Sequence, residues 1–402
     1  MNTHVPRIVI SAGEPSGDEH AAKLLAAFRL SHPTSIFAGM GGRALRGAGM
    51  KICVDSDVSG AVMGVFPVIA ALGRIKNALS QMRELLRSWK PDALVLVDYP
   101  DFNLRLAKTA KQLGIPVLYF IPPKMWAWRP SRVEQFHRLV DCTAVIYPFE
   151  KNFFSRHNYH RAYFVGHPFV SELRPQTPTS GEREAFAKKL NIAGDARIIA
   201  LLPGSRNSEI RRLLAPTLEA LALLKRKHPN ALGVLALAPS VDEAWVRSNI
   251  PLDAPLVVSR GNALEVLKFA NVGLLKSGTS NLQAAFLGLP FVMYYQTSWL
   301  SAFIARKLVK LSEYSPVNII RPGTIKELIQ EEVCADRIFL ELSNLLDSGE
   351  AQANIQRAFD EVRQALSSYE QIPLFEGSTG AYERTARLLS CIISDQNIAE
   401  HK

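Results

Sequence analysis

LLPGSRNSEIRRL, residues 201–213, and LLKSGTSNLQAAFLGLPFVMYY, residues 274–295, carry the same local design twice. Each is an apolar run entering a turn of Gly, Ser or Thr that opens a helix: Gly204 and Ser205 in the first, Ser277, Gly278 and Thr279 in the second. A strand followed by such a turn leaves backbone N–H groups pointing beyond the strand end, and the helix dipole favours an anion there. Arg206 adds an always-charged fork to the first turn, and Lys276 adds an ammonium to the second. Two anion-binding turns about 70 residues apart in one α/β half fit a diphosphate held by both. That chemistry points to a nucleotide-sugar enzyme.

The rest of the chain is consistent with this class. At 402 residues it is long for one domain, and two are expected. Hydrophobic residues at 48% and charged residues at 21% give a globular chain with ample core. The 47 Lys and Arg exceed the 37 Asp and Glu, which favours anionic partners or is simply a basic surface. Cys53, Cys142, Cys334 and Cys391 lie far apart without a CxxC, so no zinc pattern is present. A strand begins almost at once, which leaves no room for a signal peptide. The longest apolar run, residues 60–73, is too short to span a bilayer, for which about 20 residues are needed. A cytoplasmic location is expected.

Short β-branched runs alternate with helical patterns, the mark of βα units and parallel sheets. The first series is RIVIS (7–11), SIFAGM (35–40), ALVLVD (93–98), VLYFI (117–121), TAVIY (143–147) and AYFVG (162–166). The second is RIIALLP (197–203), GVLALAP (233–239), PLVVS (255–259), VGLLKS (272–277) and PFVMYY (290–295). A Pro-, Ser- and Thr-rich stretch from His167 to Glu184 reads as the linker, and residues beyond 325 read as helical. The expected architecture is α/β: two Rossmann-like domains facing across a cleft, with a helical C-terminal segment. The domains are residues 1–170, joined by C-terminal helices 365–402, and residues 171–364. Ligands bind beyond the carboxyl ends of such strands.

Other motifs sit at those ends. SAGEPSGD (11–18) supplies Gly13 and Gly17 for close backbone approach, Ser16 at the helix start, and the carboxylates of Glu14 and Asp18. On spacing alone, Glu14 and Asp18 serve either the site or the helix cap. DYPDFN (98–103) follows ALVLVD and presents Asp101 and Asn103. Asp101 stands where a general base is needed, or caps the helix after Pro100. WAWR (126–129), taken as an extended segment, puts Trp126 and Trp128 on one side beside cations, for stacking or for core packing. His167 in VGHP either faces the cleft or is a hinge residue. Asp55 and Asp57 form a DxD away from the phosphate-binding half, and no metal site is expected. Basic residues are scattered without interleaved aromatics, so nucleic acid is not an expected partner.

These motifs together make the chain resemble lipid-A-disaccharide synthases, bacterial glycosyltransferases of the two-Rossmann GT-B type. SAGEPSGDEHAA, GMGG with AGM, VMGVFPVI, DYPDFN, WAWR, PFEK, VGHP, LPGSR and SGT occur in the family's order over nearly the whole length. The resemblance implies transfer of 2,3-diacylglucosamine from UDP-2,3-diacylglucosamine to 2,3-diacylglucosamine 1-phosphate. It implies inversion to the β(1→6) disaccharide, no cofactor or dissociable metal, and peripheral contact with the inner face of the inner membrane. The first domain would hold the lipid acceptor and the second the UDP-sugar. Asp101 becomes the general-base candidate and Arg206 the diphosphate clamp. The 277–279 turn belongs to UDP, and Asn318 corresponds to the Asn of the family's LPN segment. Met63, Val65, Phe66 and Ile69 in the apolar run would meet acyl chains, and the protein would act as a monomer or homodimer. The chain departs from the pattern at Gln283, where the family carries a carboxylate for the ribose hydroxyls. It departs again at Pro67 and at Lys276. Another GT-B UDP-sugar enzyme and a non-catalytic nucleotide- or lipid-binding paralogue are the alternatives.

Overall fold

The computed structural model describes residues 4–56, 67–128, 130–175, 177–298 and 313–394. It divides into two compact units, Met1–Pro168 with Leu366–Lys402, and Phe169–Ala365.

The first unit is built on seven parallel strands: β1 Arg7–Ala12, β2 Ile36–Gly41, β3 Lys51–Asp55, β4 Ala93–Val97, β5 Val117–Phe120, β6 Cys142–Val145 and β7 Ala162–Phe164. Their order is β3-β2-β1-β4-β5-β6-β7. The central strands are apolar at successive positions, not alternating, because helices cover both faces. Val9, Leu94, Leu96, Val117 and Tyr119 meet the helices Pro67–Trp89, Pro100–Gln112 and Val133–Leu139. Helix Pro15–Ser31 and the returning C-terminal helix Ala381–Ile393 pack together on the other face.

Six parallel strands form the second sheet: β8 Arg197–Leu202, β9 Ala231–Leu237, β10 Leu256–Arg260, β11 Val272–Lys276, β12 Phe291–Tyr295 and β13 Glu327–Ile329. Their order is β10-β9-β8-β11-β12-β13. β8 pairs with β11 from Ile199 opposite Val272 to Leu202 opposite Leu275, so the two turns quoted at the outset leave neighbouring strand ends.

Two strands escape the sequence pattern. β3 lies in the mixed KICVD stretch, and β13 occupies ELI inside KELIQEE, which the polar pattern reads as helix. β13 is held by backbone pairing to β12, Met293 opposite Glu327. The Glu327 carboxylate accepts from the N–H groups of Tyr314 (2.9 Å) and Ser315 (2.8 Å). Those tertiary bonds override a helical propensity.

In each sheet the strand order reverses once, between β1 and β4 and between β8 and β11. Open α/β sheets bind ligands at such switch points because the flanking loops diverge there and leave a crevice.

Candidate active site

At the second sheet's switch point the two turns meet in one hollow of about 370 Å³. Gly204 and Ser205 line it from the β8 side, and Lys276, Ser277, Gly278, Thr279 and Gln283 from the β11 side. Helix Asn207–Lys227 starts after the first turn and helix Thr279–Leu287 after the second. Gly204 has φ +124°, and a Cβ there would lie 2.1 Å from Glu209 Oε2, so glycine is required on both counts.

Glu209 shows what this turn holds. Its Oε2 accepts from the N–H groups of Ser205 (3.1 Å) and Arg206 (3.3 Å), and its Oε1 accepts from Lys276 Nζ at 3.0 Å. A carboxylate therefore occupies the N–H donors and the ammonium that an anionic ligand would use. Sequence reading passed over Glu209, although a Glu in the first helical turn three residues after the cap is a capping-box signal.

The other expected residues of this half sit differently. The Arg206 guanidinium is largely exposed, 3.6 Å from Glu209 Oε1, and among the described residues it is not part of the hollow's lining. Asn318 is buried away from the hollow. Its Nδ2 donates to Glu327 Oε1 (2.9 Å) and the Ile325 carbonyl (3.0 Å), and its Oδ1 accepts from Ile325 N–H (2.9 Å). With both ends of the amide engaged, Asn318 latches the loop before β13.

The first sheet's switch point is made of carboxylates and strained backbone. β4 ends in Asp98 and Tyr99, both left-handed at φ +48° and +47°, and β5 ends in Ile121 at φ +55°. Non-glycine residues adopt this conformation at a cost of about 1–3 kcal/mol each, usually where a site requires it. The Asp98 carbonyl is held by Tyr119 Oη (2.6 Å) and Asn103 Nδ2 (2.7 Å), both donating. Asn103 also takes a bond from Ser11 Oγ at 2.6 Å, tying β1 to this turn. Its amide shapes the turn from within rather than reaching a ligand.

Asp98 itself is half-buried, and burial and then the nearby Glu14 charge push its carboxyl up to about 6, against the Tyr99 N–H and Lys124. Glu14 is exposed and occupies the N-cap position of helix Pro15–Ser31 without a capping bond from its side chain. Gly13 admits the Tyr99 ring, since a Cβ there would lie 2.3 Å from Tyr99 Cδ1. At Gly17 the approach is not tight: an added Cβ would meet Val97 at an ordinary 3.7 Å. Ser16 is exposed in the first turn of the helix.

Asp18 is buried, and its carboxylate accepts from the N–H groups of Gly42 (2.6 Å) and Ala44 (2.7 Å). That fixes the GMGG loop and leaves Asp18 a structural cap. Asp101 is exposed and pairs with Arg132 at 2.5 Å, in a second hollow between helices Pro100–Gln112 and Val133–Leu139. His167 is buried, and burial lowers its imidazole to about 3, so it is neutral.

WAWR departs from expectation. Met125–Trp128 is helical rather than extended. Trp126 packs edge-on against Phe149 at 4.9 Å and donates from Nε1 to Glu150 Oε1 at 3.3 Å. Glu150, from PFEK, is buried, and burial pushes its carboxyl up to about 7. Its other oxygen accepts from Tyr147 N–H at 3.2 Å. WAWR and PFEK, distant in sequence, thus form one structure around a buried acid that sequence reading did not single out.

Met63, Val65 and Phe66 lie outside the described residues, and of Ile69 only its place in helix Pro67–Trp89 is described. Asp55 pairs with Arg46 at 2.6 Å, and Asp57 is also outside the described residues. Among the described residues no group of three His, Cys, Asp or Glu is placed to hold a metal ion, and no helix is long and apolar enough to cross a membrane.

Two parallel sheets, each with a loaded switch point, define a GT-B fold. Solved structures agree. CalG4, the calicheamicin glycosyltransferase, matches with a TM-score of 0.57 at 14% identity, covering 98% of this chain and 99% of that one. UDP-GlcNAc 2-epimerase from Neisseria meningitidis bound to UDP-GlcNAc has the same TM-score and identity, covering 90% and 99%. The class is a UDP-sugar-dependent glycosyltransferase.

Sequence comparison is more specific. The lipid-A-disaccharide synthetase family profile matches residues 8–372. The lipid-A-disaccharide synthase of Myxococcus xanthus (strain DK1622) is 37% identical over 96% of this chain and 97% of its own length. That of Nitrosococcus oceani is 37% identical over 99% of each. The chain belongs to the lipid-A-disaccharide synthetase family, the glycosyltransferases of lipid A disaccharide synthesis.

Proposed function

We propose that the protein transfers 2,3-diacylglucosamine from UDP-2,3-diacylglucosamine to the 6-hydroxyl of 2,3-diacylglucosamine 1-phosphate, with inversion to the β(1→6) disaccharide and release of UDP. The observation that carries this reading is the convergence of both anion-holding turns on a single hollow at the second switch point. In this reading the second unit holds UDP, with Ser205, the 277–279 turn and Lys276 stabilising the departing diphosphate. Arg206, exposed and close by, swings in as a clamp, and Gln283 reaches the ribose.

The first unit takes the lipid acceptor. An inverting displacement needs one base to remove the acceptor proton, and a base works best with a pKa near the working pH. Asp98 has that property, and Asp101 is exposed and engaged by Arg132, so the role expected of Asp101 passes to Asp98. Asp101, on Arg132, then positions the acceptor. Burial, and then the Glu14 charge, keep the Asp98 carboxyl raised. Backbone donors and cations at the diphosphate leave no step that requires a metal.

The test is turnover of the two diacylated sugars by purified protein in detergent with EDTA present. The expected products are the tetraacyl disaccharide 1-phosphate with a β linkage by NMR, and one UDP per turn. Loss of activity in EDTA, restored by Mn²⁺ or Mg²⁺, would remove the metal-free mechanism. An α linkage would remove direct displacement. Absence of turnover with retained UDP binding would favour the non-catalytic paralogue.

A further inference from the structure

The two turns of the second switch point differ in what sits on them. Helix Thr279–Leu287 opens at Gly278, which has no side chain to cap it. Helix Asn207–Lys227 opens on Glu209, whose Oε2 accepts from the N–H groups of Ser205 and Arg206. A helix cap needs no more than that. The other oxygen, Oε1, reaches to the neighbouring strand end and accepts from Lys276 Nζ at 3.0 Å, 67 residues along the chain. Both side chains of this pair are largely buried, so water and salt weaken it less than they weaken an exposed pair. The ammonium also lies 5.5 Å from the centre of the Tyr295 ring, a second attraction that keeps it at the strand end.

Ser205 and Lys276 line the hollow, whereas no carboxylate is among its described lining residues. Glu209 thus reaches the donors of the hollow from behind them. A backbone N–H has one proton to donate, so a phosphate oxygen that bonds to Ser205 N–H must take it from Glu209. A carboxylate left beside that phosphate would be repelled by it.

We propose that Glu209 is a built-in competitor of the diphosphate: it fills the first turn, is displaced by the phosphate that binds there, and returns to the same donors as UDP departs. The inference rests on the placement of UDP in this hollow and adds to it a means of product release. Product release limits the turnover of many enzymes, and a turn with every donor open would hold a diphosphate product firmly. An internal carboxylate lowers that affinity through its own claim on the donors. It acts on the phosphates alone, because uridine carries no anionic group for those donors.

The experiment is calorimetric titration of full-length wild type and Glu209→Gln with UDP and with uridine. The amide keeps the side chain's shape and one oxygen for the turn, and gives up the charge. Glu209→Gln is expected to bind UDP about tenfold more tightly, the equivalent of one hydrogen bond no longer contested, and to bind uridine as wild type does. The gain should appear as slower UDP dissociation in stopped flow, and it should shrink when Lys276→Ala is added. Glu209→Asp keeps a charged cap but is one methylene short of Lys276, and it should tighten UDP by a smaller factor. UDP binding that is unchanged or weaker in both single variants would overturn the proposal and leave Glu209 a helix cap. Equal tightening of uridine would overturn it as well, since the change would not be at the phosphates. UDP binding by wild type without these gains would remove this inference alone. No UDP binding by wild type would remove the nucleotide from the hollow and the competitor with it.

Discussion

The two switch points are built from the same topology and loaded with opposite chemistry. Between β8 and β11 the turns are Gly- and Ser-rich, offer backbone N–H groups and carry Lys276, and they hold the carboxylate of Glu209. Between β1 and β4 the turn that follows β4 contains no glycine. Its backbone is forced left-handed at Asp98 and Tyr99 and presents an acid whose proton is held up to about 6. In the proposed mechanism one point accepts negative charge and the other accepts a proton. A transferase requires both, and the fold supplies two copies of one crevice to be specialised separately.

The strongest test of that division is Asp98→Asn. Turnover should fall by about 10²–10⁴-fold, as for loss of a general base, with UDP affinity unchanged by calorimetry. In wild type, kcat/KM should rise with pH and level off above about 6, because the base acts in its ionised form. Asp101→Asn should cost far less. The reverse ranking of the two variants would return the base to Asp101, and a loss of UDP affinity in Asp98→Asn would blur the distinction between the two points.

The next effect concerns the buried acid behind the first point. Glu150 has a folded-state pKa near 7 against an unfolded value near 4.5, so the native state binds more protons between those limits. The Glu150 contribution to stability therefore falls as pH rises through that window and is constant above it. That contribution should appear as a difference of about 2–3 kcal/mol between wild type and Glu150→Gln in the change of urea-unfolding stability from pH 4.5 to 7.5. Any remaining slope sums the other shifted groups, Asp98 and Glu327 in the same direction as Glu150 and His167 in the opposite one. An unchanged slope in Glu150→Gln would show that Glu150 ionises as an ordinary carboxyl.

The second point was the more legible of the two in the sequence. Gly204, Ser205, Ser277, Gly278 and Thr279 act through backbone, and strand-turn-helix spacing announces such a turn directly. The first point depends on contacts far apart in the chain: Tyr119 and Asn103 on the Asp98 carbonyl, Trp126 on Glu150, Tyr99 over Gly13. Choosing between Asp98 and Asp101 requires knowing which one is desolvated, and that is a tertiary property. The parallel α/β class and most strands follow from apolar runs, whereas β13 does not, because three residues at an edge are set by their partner.

Lys276 sharpens the comparison from the anion side. Its ammonium is engaged by Glu209 at 3.0 Å, and the donor diphosphate would compete for it. Lys276→Ala should weaken UDP binding about 10- to 100-fold, the usual range for a hydrogen bond to a charged group. Turnover at saturating donor should fall less than in Asp98→Asn. Unchanged UDP affinity would mean that Lys276 serves only to hold Glu209 and that the hollow binds anions through backbone alone.

The smallest expected effect, and the one that tests the nucleotide's pose, is at Gln283. Its side chain lines the same hollow as Lys276 and the 277–279 turn. A carboxylate accepts from both ribose hydroxyls, whereas an amide offers one acceptor oxygen and an NH₂ that competes as a donor. Gln283→Glu should therefore tighten UDP binding by about tenfold, the equivalent of one buried hydrogen bond gained. The alternative is that Gln283 and Lys276 are matched to another ribose position. The new carboxylate would then meet no hydroxyl, and it would compete with Glu209 for the Lys276 ammonium. UDP affinity would fall and the Lys276–Glu209 pair would loosen. Titrating UDP into Gln283→Glu and into Gln283→Glu with Lys276→Ala separates the two. If the ribose sits on residue 283, the gain survives the loss of the lysine. If the single variant binds UDP more weakly and the added loss of the lysine leaves no gain, the ribose lies elsewhere.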